Sequence, residues 1–396
     1  MKFLAHLICY CIYPFSFLFP RKKKKWAFGS FRGAFNDNSK YLLIYVSENI
    51  PGIDCAWISM NKATVQDIRA KGLRAFHVLS LKGLWFALTS KYWFFNAYSS
   101  DIMFCLSGGA TLVNLWHGLP MKYIEFDIDS GPLANRYVKK TLKERYYHPE
   151  AFKRPDYLIS SSKIYSEMFA RAFRITIDRC LEFGCPRNEI MVWPDHKRMG
   201  FVEAYESEST LNLIAKLKEK SFHHVYIYLP TWRDSQAAFL PSDFDLHIMD
   251  EALRSKNEAL ILKPHANTFT DGEVAAGLNN IFWLPATMDI YPVLPYTDVL
   301  ITDYSSVLYD YILMENKSVI LYLYDYQSYI KDRSFIWPFD DMIVGKKVFD
   351  FQALLNTIRE ENIGLNETER KTLLQKCWGE NRMDACERIG SFFNHS

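Results

Sequence analysis

Short apolar runs recur along this chain, and each is continuous rather than alternating between apolar and polar residues. A half-exposed strand alternates, whereas a strand that is buried on both faces is apolar throughout. The runs therefore predict parallel strands in sheets that are covered on both faces. They lie at residues 41–46, 93–98, 111–116, 157–160, 224–230, 259–263, 281–284, 298–302 and 319–324.

Segments with helical spacing of apolar residues lie between these runs, as at residues 162–173 and 305–316. Strands that alternate with helices predict an α/β fold with doubly wound sheets. A chain of 396 residues is too long for one ordinary core. A polar, acidic stretch at residues 201–210 separates two sets of runs. The sequence therefore predicts one domain over residues 26–203 and a second over residues 204–396.

The first 25 residues differ from the rest. Residues 1–20 are mostly apolar, Pro14 interrupts them, and the basic run RKKKK follows at residues 21–25. A signal peptide carries its charge before the apolar part, not after it. We expect residues 1–25 to form a peripheral, monotopic anchor, with the lysines on anionic lipid and the body on the cytoplasmic side of the membrane. A single membrane span and a helix packed on the protein itself are the alternatives.

Polar residues that directly follow predicted strands are the candidates for a site, because doubly wound sheets bind ligands at the carboxyl ends of their strands. His117, Gly118 and Lys122 follow the run at residues 111–116. An imidazole titrates near neutrality and suits a general base, and a glycine beside it lets the backbone turn and a substrate approach. Lys122 is either a phosphate contact or a surface lysine.

Candidates for binding phosphate follow the runs of the second half. A predicted helix begins near residue 305, and the unpaired N–H groups and dipole of a helix N-terminus attract anions. Cations at neighbouring strand ends add to this attraction, and a guanidinium can bind phosphate with two hydrogen bonds. The candidates are Thr302, Asp303, Ser305 and Ser306 at the helix start, with Lys263, His265 and Arg233 as partners. Asp310 and Glu315, on the same helix, either accept hydrogen bonds from a ribose or are structural.

Composition and missing motifs exclude several classes of protein. The net charge is only +2, so no overall positive field predicts binding to nucleic acid. The chain has no P-loop, no GxGxxG after a strand and no HExxH, and its eight cysteines form no CxxC pair. We therefore predict no metal ligand set and no obligatory cofactor, although a Mg²⁺ ion stays compatible with a phosphate site.

Four motifs together carry a resemblance. LWHGLPMK, LPTWRD, LKPH and ITDYSSVLYDY occur in this order, and together they resemble the CDP-glycerol glycerophosphotransferase family of teichoic-acid and capsule polyol-phosphate transferases. The resemblance covers about residues 90–350. It implies a GT-B fold of two Rossmann-like domains with a cleft between them. The C-terminal domain would then hold the nucleotide donor, and the N-terminal domain would face a lipid-linked or glycan acceptor.

The resemblance also implies a reaction and roles for its residues. Glycerol phosphate or ribitol phosphate would pass from a CDP-polyol to an acceptor hydroxyl, and CMP would leave. His117 is then the general base, and His265 matches the second histidine of the family, at the donor's pyrophosphate. A GT-B glycosyltransferase that uses a UDP- or GDP-sugar is one alternative. An inactive membrane scaffold that binds polysaccharide intermediates is another.

Overall fold

The structure is a computed structural model. It describes residues 2–131, 133–231, 239–264, 277–332, 334–360, 363–380 and 383–395. The chain divides into two compact units. The first consists of Met1–Gly118, Tyr123–Glu189 and Lys376–Ser396, and the second consists of Leu119–Lys122 and Ile190–Gln375.

Each unit is built on one parallel sheet. The strands of the first sheet are β1 (Lys22–Phe28), β2 (Asp54–Ser59), β3 (Ala75–His77), β4 (Ser90–Phe95), β5 (Thr111–Asn114), β6 (Tyr157–Ser160) and β7 (Cys180–Glu182). Those of the second sheet are β8 (Val225–Tyr228), β9 (Ala259–Leu262), β10 (Ile281–Trp283), β11 (Val299–Thr302), β12 (Ser318–Tyr322) and β13 (Lys346–Val348).

Helices connect the strands. Within the described residues they are α1 (Lys2–Phe15), α2 (Asp37–Asn49), α3 (Lys62–Ala70), α4 (Leu81–Thr89), α5 (Ala134–Tyr137), α6 (Leu142–Tyr147), α7 (Lys163–Phe173), α8 (Glu189–Val192), α9 (Asp195–Tyr205), α10 (Glu208–Glu219), α11 (Leu246–Ser255), α12 (Val307–Tyr311), α13 (Tyr326–Asp332), α14 (Phe351–Arg359), α15 (Glu367–Trp378) and α16 (Ala385–His395).

The strand orders are those of doubly wound sheets. The first sheet runs β3-β2-β1-β4-β5-β6-β7 and the second runs β10-β9-β8-β11-β12-β13, and all neighbours in both are parallel. In both sheets the order reverses beside the first strand of the unit, which is the Rossmann arrangement. Every residue of β8, β9 and β11 is buried, as the continuous apolar runs predicted. The prediction of an α/β fold with two Rossmann-like units is confirmed.

One predicted strand is wrong. Residues 41–46 lie within α2 and not in a strand, and the helix is buried on most sides. A short apolar run has the same composition in a buried strand as in a buried helix, so its pattern alone does not separate them. Conversely, β1, β2, β3, β7 and β13 were not predicted, because these segments are short or carry charged residues. The helix predicted at residues 305–316 is also shorter, since α12 has only five residues.

The chain passes from the first unit to the second between residues 189 and 190, whereas the sequence placed that boundary between 203 and 204. Helix α9 belongs to the second unit, where Arg198 donates to the Tyr296 hydroxyl at 3.3 Å and that hydroxyl donates to Asp195 at 2.6 Å. The last helix returns to the first unit, where Phe393 packs on Tyr92 with ring centroids 5.1 Å apart.

The N-terminal segment forms α1 and then continues into the first sheet. Its basic run enters β1, a strand inside the first sheet, where the first three lysines are exposed and Lys25 is buried. Arg21 donates to the carbonyls of Ala87 at 2.6 Å and Leu106 at 2.7 Å. Lys25 is buried and donates to the Thr89 hydroxyl at 2.7 Å. Among the helices that the structure describes, none combines the length and apolar character needed to cross a bilayer.

Candidate active site

His117 stands on a sharp corner that follows β5. Trp116, before it, has φ = 53°, and Gly118, after it, has φ = 134°. A left-handed backbone costs a residue with a side chain about 1–2 kcal/mol, so the fold must hold Trp116 in place. Two amides do so: the Trp116 N–H donates to Asn114 Oδ1 at 2.8 Å, and the Trp116 carbonyl accepts from Asn38 Nδ2 at 2.8 Å. The corner therefore presents the imidazole in one orientation.

The ring of His117 has a defined tautomer. Its Nδ1 lies 3.1 Å from the backbone carbonyl oxygen of Asn96. A carbonyl only accepts hydrogen bonds, so Nδ1 must carry the proton that is donated to it. In the neutral ring, Nε2 then holds the free lone pair. This is the state that a general base requires.

A buried ion pair supports the same corner from the start of α2. Arg187, only 5% exposed, donates to Asp37 Oδ1 at 2.7 Å and to the His117 carbonyl at 3.0 Å. Its backbone N–H donates to Asn38 Oδ1 at 3.1 Å. Asp37 itself has φ = 63°, a second left-handed position beside the corner. Three side chains thus fix the backbone on either side of the imidazole.

The surroundings of His117 keep its imidazole neutral. Desolvation is the largest influence and lowers the pKa of His117, while the Asp37 carboxylate and the Asn96 carbonyl oppose that shift. The side chain nevertheless stays exposed to solvent. An accessible imidazole with a lowered pKa is unprotonated at neutral pH and available to take a proton.

The four residues Leu119–Lys122, directly after the corner, belong to the second unit. Lys122 pairs with Phe335 in an antiparallel bridge, and its ammonium lies 4.9 Å from the centroid of the Tyr329 ring. Tyr329 stacks on Tyr304 with centroids 3.7 Å apart. Tyr304 directly precedes Ser305, so Lys122 is positioned near the predicted phosphate-binding turn.

Ser305 and Ser306 lie half-buried at the turn into α12. Within the residues that the structure describes, their hydroxyls have no hydrogen-bond partner, and neither do the N–H groups of residues 305–307. Unpaired donors that converge on one place are suited to bind a phosphate. Because α12 is only five residues long, its dipole adds little, and these donors are the main attraction.

The side chains of Thr302 and Asp303 form hydrogen bonds with other groups of the protein. The Thr302 hydroxyl donates to the Leu229 carbonyl at 2.7 Å. Asp303 Oδ1 accepts from the Thr231 N–H at 2.9 Å, the Thr231 hydroxyl at 2.6 Å and the Tyr304 N–H at 2.6 Å. Both side chains are buried. They connect the ends of β8 and β11 and so position the turn that carries Ser305.

Comparison with known proteins decides the family. A family model described as CDP-Glycerol:Poly(glycerophosphate) glycerophosphotransferase matches residues 11–389. This chain belongs to that family. Its members transfer a phosphorylated group, so the chain is a transferase, as the four motifs indicated.

Curated relatives agree with the family, and a solved structure shares the fold. The teichoic acid poly(glycerol phosphate) polymerase of Bacillus subtilis (strain 168) is 28% identical over 86% of this chain, which spans 44% of that protein's length. The polymerase of the same description from Bacillus spizizenii is 26% identical over 87% of this chain and 85% of its own length. A variant of the wall teichoic acid polymerase TagF, soaked with CDPG, superposes with a TM-score of 0.74 at 21% identity, over 100% of this chain and 96% of that one.

The remaining predicted site residues of this glycerophosphotransferase-family chain do not all lie at one place in the described structure. Lys263 follows β9 and donates to the Ala286 carbonyl at 3.1 Å, and burial lowers its pKa. Arg233 and His265 lie outside the described residues. Asp310 is buried and accepts from the Tyr291 hydroxyl at 2.6 Å, which favours the structural role for it. Glu315 is exposed, beyond the end of α12.

No group of three or more metal-ligating side chains occurs among the described residues. The chain has two Asp-x-Asp sequences, a pattern that can bind metal, and in each one aspartate hydrogen-bonds another protein group. Asp127 accepts from Arg171 at 2.7 Å, and Asp245 caps the start of α11 by accepting from the His247 N–H at 2.8 Å.

Sequence analysis missed Asp37, Asn38 and Arg187, although they hold the corner of the candidate base. The signal was available for two of them. Asn36, Asp37 and Asn38 stand a few residues before an apolar run, and residues of this type mark the start of a helix. Taking residues 41–46 for a strand hid that start. Arg187 carries no comparable signal, because its partners lie about 70 to 150 residues away in the sequence.

Proposed function

We propose that this chain transfers glycerol phosphate, or ribitol phosphate, from a CDP-polyol donor to a hydroxyl of a lipid-linked or glycan acceptor. CMP is the leaving group, and the product belongs to a teichoic-acid-like or capsular surface polymer. The family and the fold shared with a CDPG-soaked polymerase support the CDP-linked donor. The observation that carries the proposal is the His117 imidazole, whose Nδ1 is held by a backbone carbonyl so that Nε2 is the basic atom.

The chemistry follows from these groups. The acceptor oxygen attacks the phosphorus next to the polyol, a new P–O bond forms, and the P–O bond to CMP breaks. His117 Nε2 takes the hydroxyl proton, which makes the oxygen a stronger nucleophile. The N–H and hydroxyl groups of Ser305 and Ser306 bind the diphosphate oxygens and stabilise the charge that develops during transfer. Arg233, Lys263 and His265 remain candidates for the donor's phosphates.

We further propose that the chain acts at the cytoplasmic surface of the membrane as a peripheral protein. Helix α1 and the turn after it leave large apolar side chains in solvent: Leu4 is 60% exposed, Ile8 50%, Phe15 64% and Leu18 76%. A contiguous apolar surface of this kind is typical of a membrane or protein contact. The apolar face of α1 and the exposed lysines at residues 22–24 are the proposed membrane contact.

Released nucleotide distinguishes the candidate functions. The purified chain is incubated with an acceptor and with CDP-glycerol, CDP-ribitol, a UDP-sugar or a GDP-sugar, and the nucleotide products are separated by chromatography. We expect CMP from a CDP-polyol, and mass spectrometry should show the acceptor gaining one polyol phosphate per turnover. Release of UDP or GDP would instead identify a glycosyltransferase. Binding of a polysaccharide without any turnover would identify a scaffold.

The membrane proposal has its own test. Deletion of residues 1–25 would remove part of β1 from the sheet, so substitution is the sharper perturbation. Leu4→Ser with Ile8→Ser should lower binding to neutral vesicles, because two exposed apolar side chains are lost from the contact. Leu79→Ser, at another exposed site of the same unit, is the control. Equal binding by both variants would contradict the role of α1.

A further inference from the structure

A cavity of about 420 Å³ opens in the first unit beside α1 and α6. This volume lies within the range of about 300–1,000 Å³ that ligand sites occupy. Four cations line it, namely Lys140, Arg145, Arg154 and Arg174, and no acidic residue does. The cavity is therefore strongly positive and suits an anion.

The four cations are not neutralised by the protein. Within the described part of the chain, none of them makes an ion pair, while two nearby carboxylates pair with other arginines. Glu144 binds Arg136 at 2.8 Å, Asp127 binds Arg171 at 2.7 Å, and Glu150 lies 3.4 Å from His148. The charge of the cavity is thus left available for a ligand.

Two aromatic rings contact three of the four cations. The Arg174 guanidinium lies 3.9 Å from the centroid of the Phe126 ring, and the Lys140 ammonium lies 5.9 Å from the same ring. The Arg145 guanidinium lies 5.6 Å from the Phe152 ring. Contacts of this kind hold a cation without cancelling its charge, because the ring is neutral. Lys140, Arg145 and Arg174 are therefore positioned by neighbouring rings, and Arg154 adds a fourth charge.

Helix α1 joins this cavity to the exposed apolar surface. Tyr10 lines the cavity, and its hydroxyl donates to the Arg145 carbonyl at 2.8 Å. Tyr146 donates to the Phe3 carbonyl at 2.9 Å and stacks on the Phe3 ring at 5.1 Å, so α1 and α6 form one surface. On that surface Leu4 and Leu142 are exposed. A ligand with an anionic head and an apolar tail matches both parts at once.

We infer that this cavity binds the phosphate of a membrane lipid headgroup, while the lipid's apolar part contacts the exposed side chains of α1. The inference rests on the membrane association proposed above and adds a specific headgroup site to it. Phosphate is the anion that membrane lipids carry, and guanidinium groups match its geometry with paired hydrogen bonds. Bound in this way, the lipid would orient the first unit on the bilayer.

The test compares vesicle binding by a pocket variant and a matched control. Arg154→Gln with Arg174→Gln removes two charges from the cavity. Lys62→Gln with Lys163→Gln removes two charges from exposed positions of the same unit outside it. Binding is measured by flotation with vesicles of phosphatidylcholine containing phosphatidylglycerol. We expect the pocket variant to bind about 30-fold more weakly than wild type, and the control to bind within about threefold of it.

Three further arms separate the sources of the anion. Arg154→Lys with Arg174→Lys keeps the charge and should bind at least about threefold better than the glutamine variant. Vesicles that contain oleate, whose charge is not a phosphate, should show little difference between the pocket variant and the control. Millimolar glycerol 3-phosphate should not displace the wild type from phosphatidylglycerol vesicles. Equal losses in the two double-glutamine variants, an equal loss on oleate, or full displacement by the soluble ester would each overturn the inference.

These assays contain neither donor nor acceptor. A failure of the transferase proposal would therefore appear as missing CMP release, and a failure of the headgroup site would appear only in vesicle binding. Thermal unfolding of each variant checks that the substitutions leave the first unit folded.

Discussion

His117→Gln is the most direct perturbation of the proposed reaction. The glutamine amide lies where Nε2 of the imidazole lies, so the side chain is similar in length, but the hydrogen bond from Nδ1 to the Asn96 carbonyl at 3.1 Å is lost. Neither atom of the amide accepts a proton near neutral pH. The substitution therefore removes the basic atom, while the corner made by Trp116 and Gly118 keeps its backbone hydrogen bonds.

The expected loss follows from the role of Nε2 in the structure. Removing a general base lowers turnover by about 10²–10⁴-fold, which corresponds to about 2.7–5.4 kcal/mol of activation free energy. The pH dependence should change too. Because desolvation by the surrounding protein lowers the pKa of His117, the wild-type rate should fall only below the ordinary histidine value of about 6.5 as the ring becomes protonated. The rate of the variant should not show this fall at acidic pH, the acidic limb of the pH–rate profile.

The assay is CMP release from CDP-glycerol, measured from pH 5 to 8 at saturating acceptor. His196→Gln, at an exposed position on α9, is the control and should match wild type. A His117→Gln rate within about threefold of wild type, or an acidic limb that persists in the variant, would refute the role of the imidazole as base.

Three other perturbations test separate parts of the structure. Ser305→Ala with Ser306→Ala should weaken CDP-glycerol binding by at least about tenfold in calorimetry, because two hydroxyls that donate hydrogen bonds to phosphate are lost. The acceptor KM should stay unchanged. Unaltered affinity for CDP-glycerol would show that this turn does not bind the donor. Gly118→Ala and Gly72→Ala should each lower the unfolding free energy by about 1–2 kcal/mol, since both glycines have positive φ, but only the first should reduce CMP release. Burial raises the pKa of Glu125 from 4.5 to about 7, so the folded state holds its proton more tightly than the unfolded state does. The resulting contribution to the free energy of unfolding is complete below pH 4.5 and is lost as pH rises to about 7, a decline of up to about 3 kcal/mol. In urea unfolding measured against pH, Glu125→Gln should lack this decline. An unchanged profile in the variant would contradict the prediction.

The positions of the buried strands, and so of the residues that follow them, could be predicted most reliably from the sequence. The runs that became β5, β8, β9 and β11 are apolar on both faces, so their positions, and hence the residues after them, could be read directly. Segments such as β1 could not be read, because three of its seven residues are exposed lysines and its place inside the sheet depends on neighbours far along the chain. The same limit made residues 41–46 ambiguous between helix and strand.

The N-terminal region shows how tertiary structure reassigns a local signal. Lysines after an apolar segment are typical of a membrane anchor. In this structure, however, Lys25 is buried and donates to Thr89, and the Arg21 guanidinium donates hydrogen bonds to backbone carbonyls. Meanwhile Lys140, Arg145, Arg154 and Arg174, which are scattered in the sequence, converge on one cavity. No sequence window contains that convergence.

By itself the sequence determined the α/β class, the two sets of buried strands, the family and the identity of His117 and Ser305 as candidates, because these depend on local composition and on motifs within single segments. Only the tertiary structure decided which nitrogen of His117 is basic, that Asp37, Asn38 and Arg187 hold its corner, and that Asp303 and Asp310 accept hydrogen bonds from protein groups. These depend on hydrogen bonds between groups distant in the chain. Such contacts arise from packing and leave no pattern in any one stretch of residues.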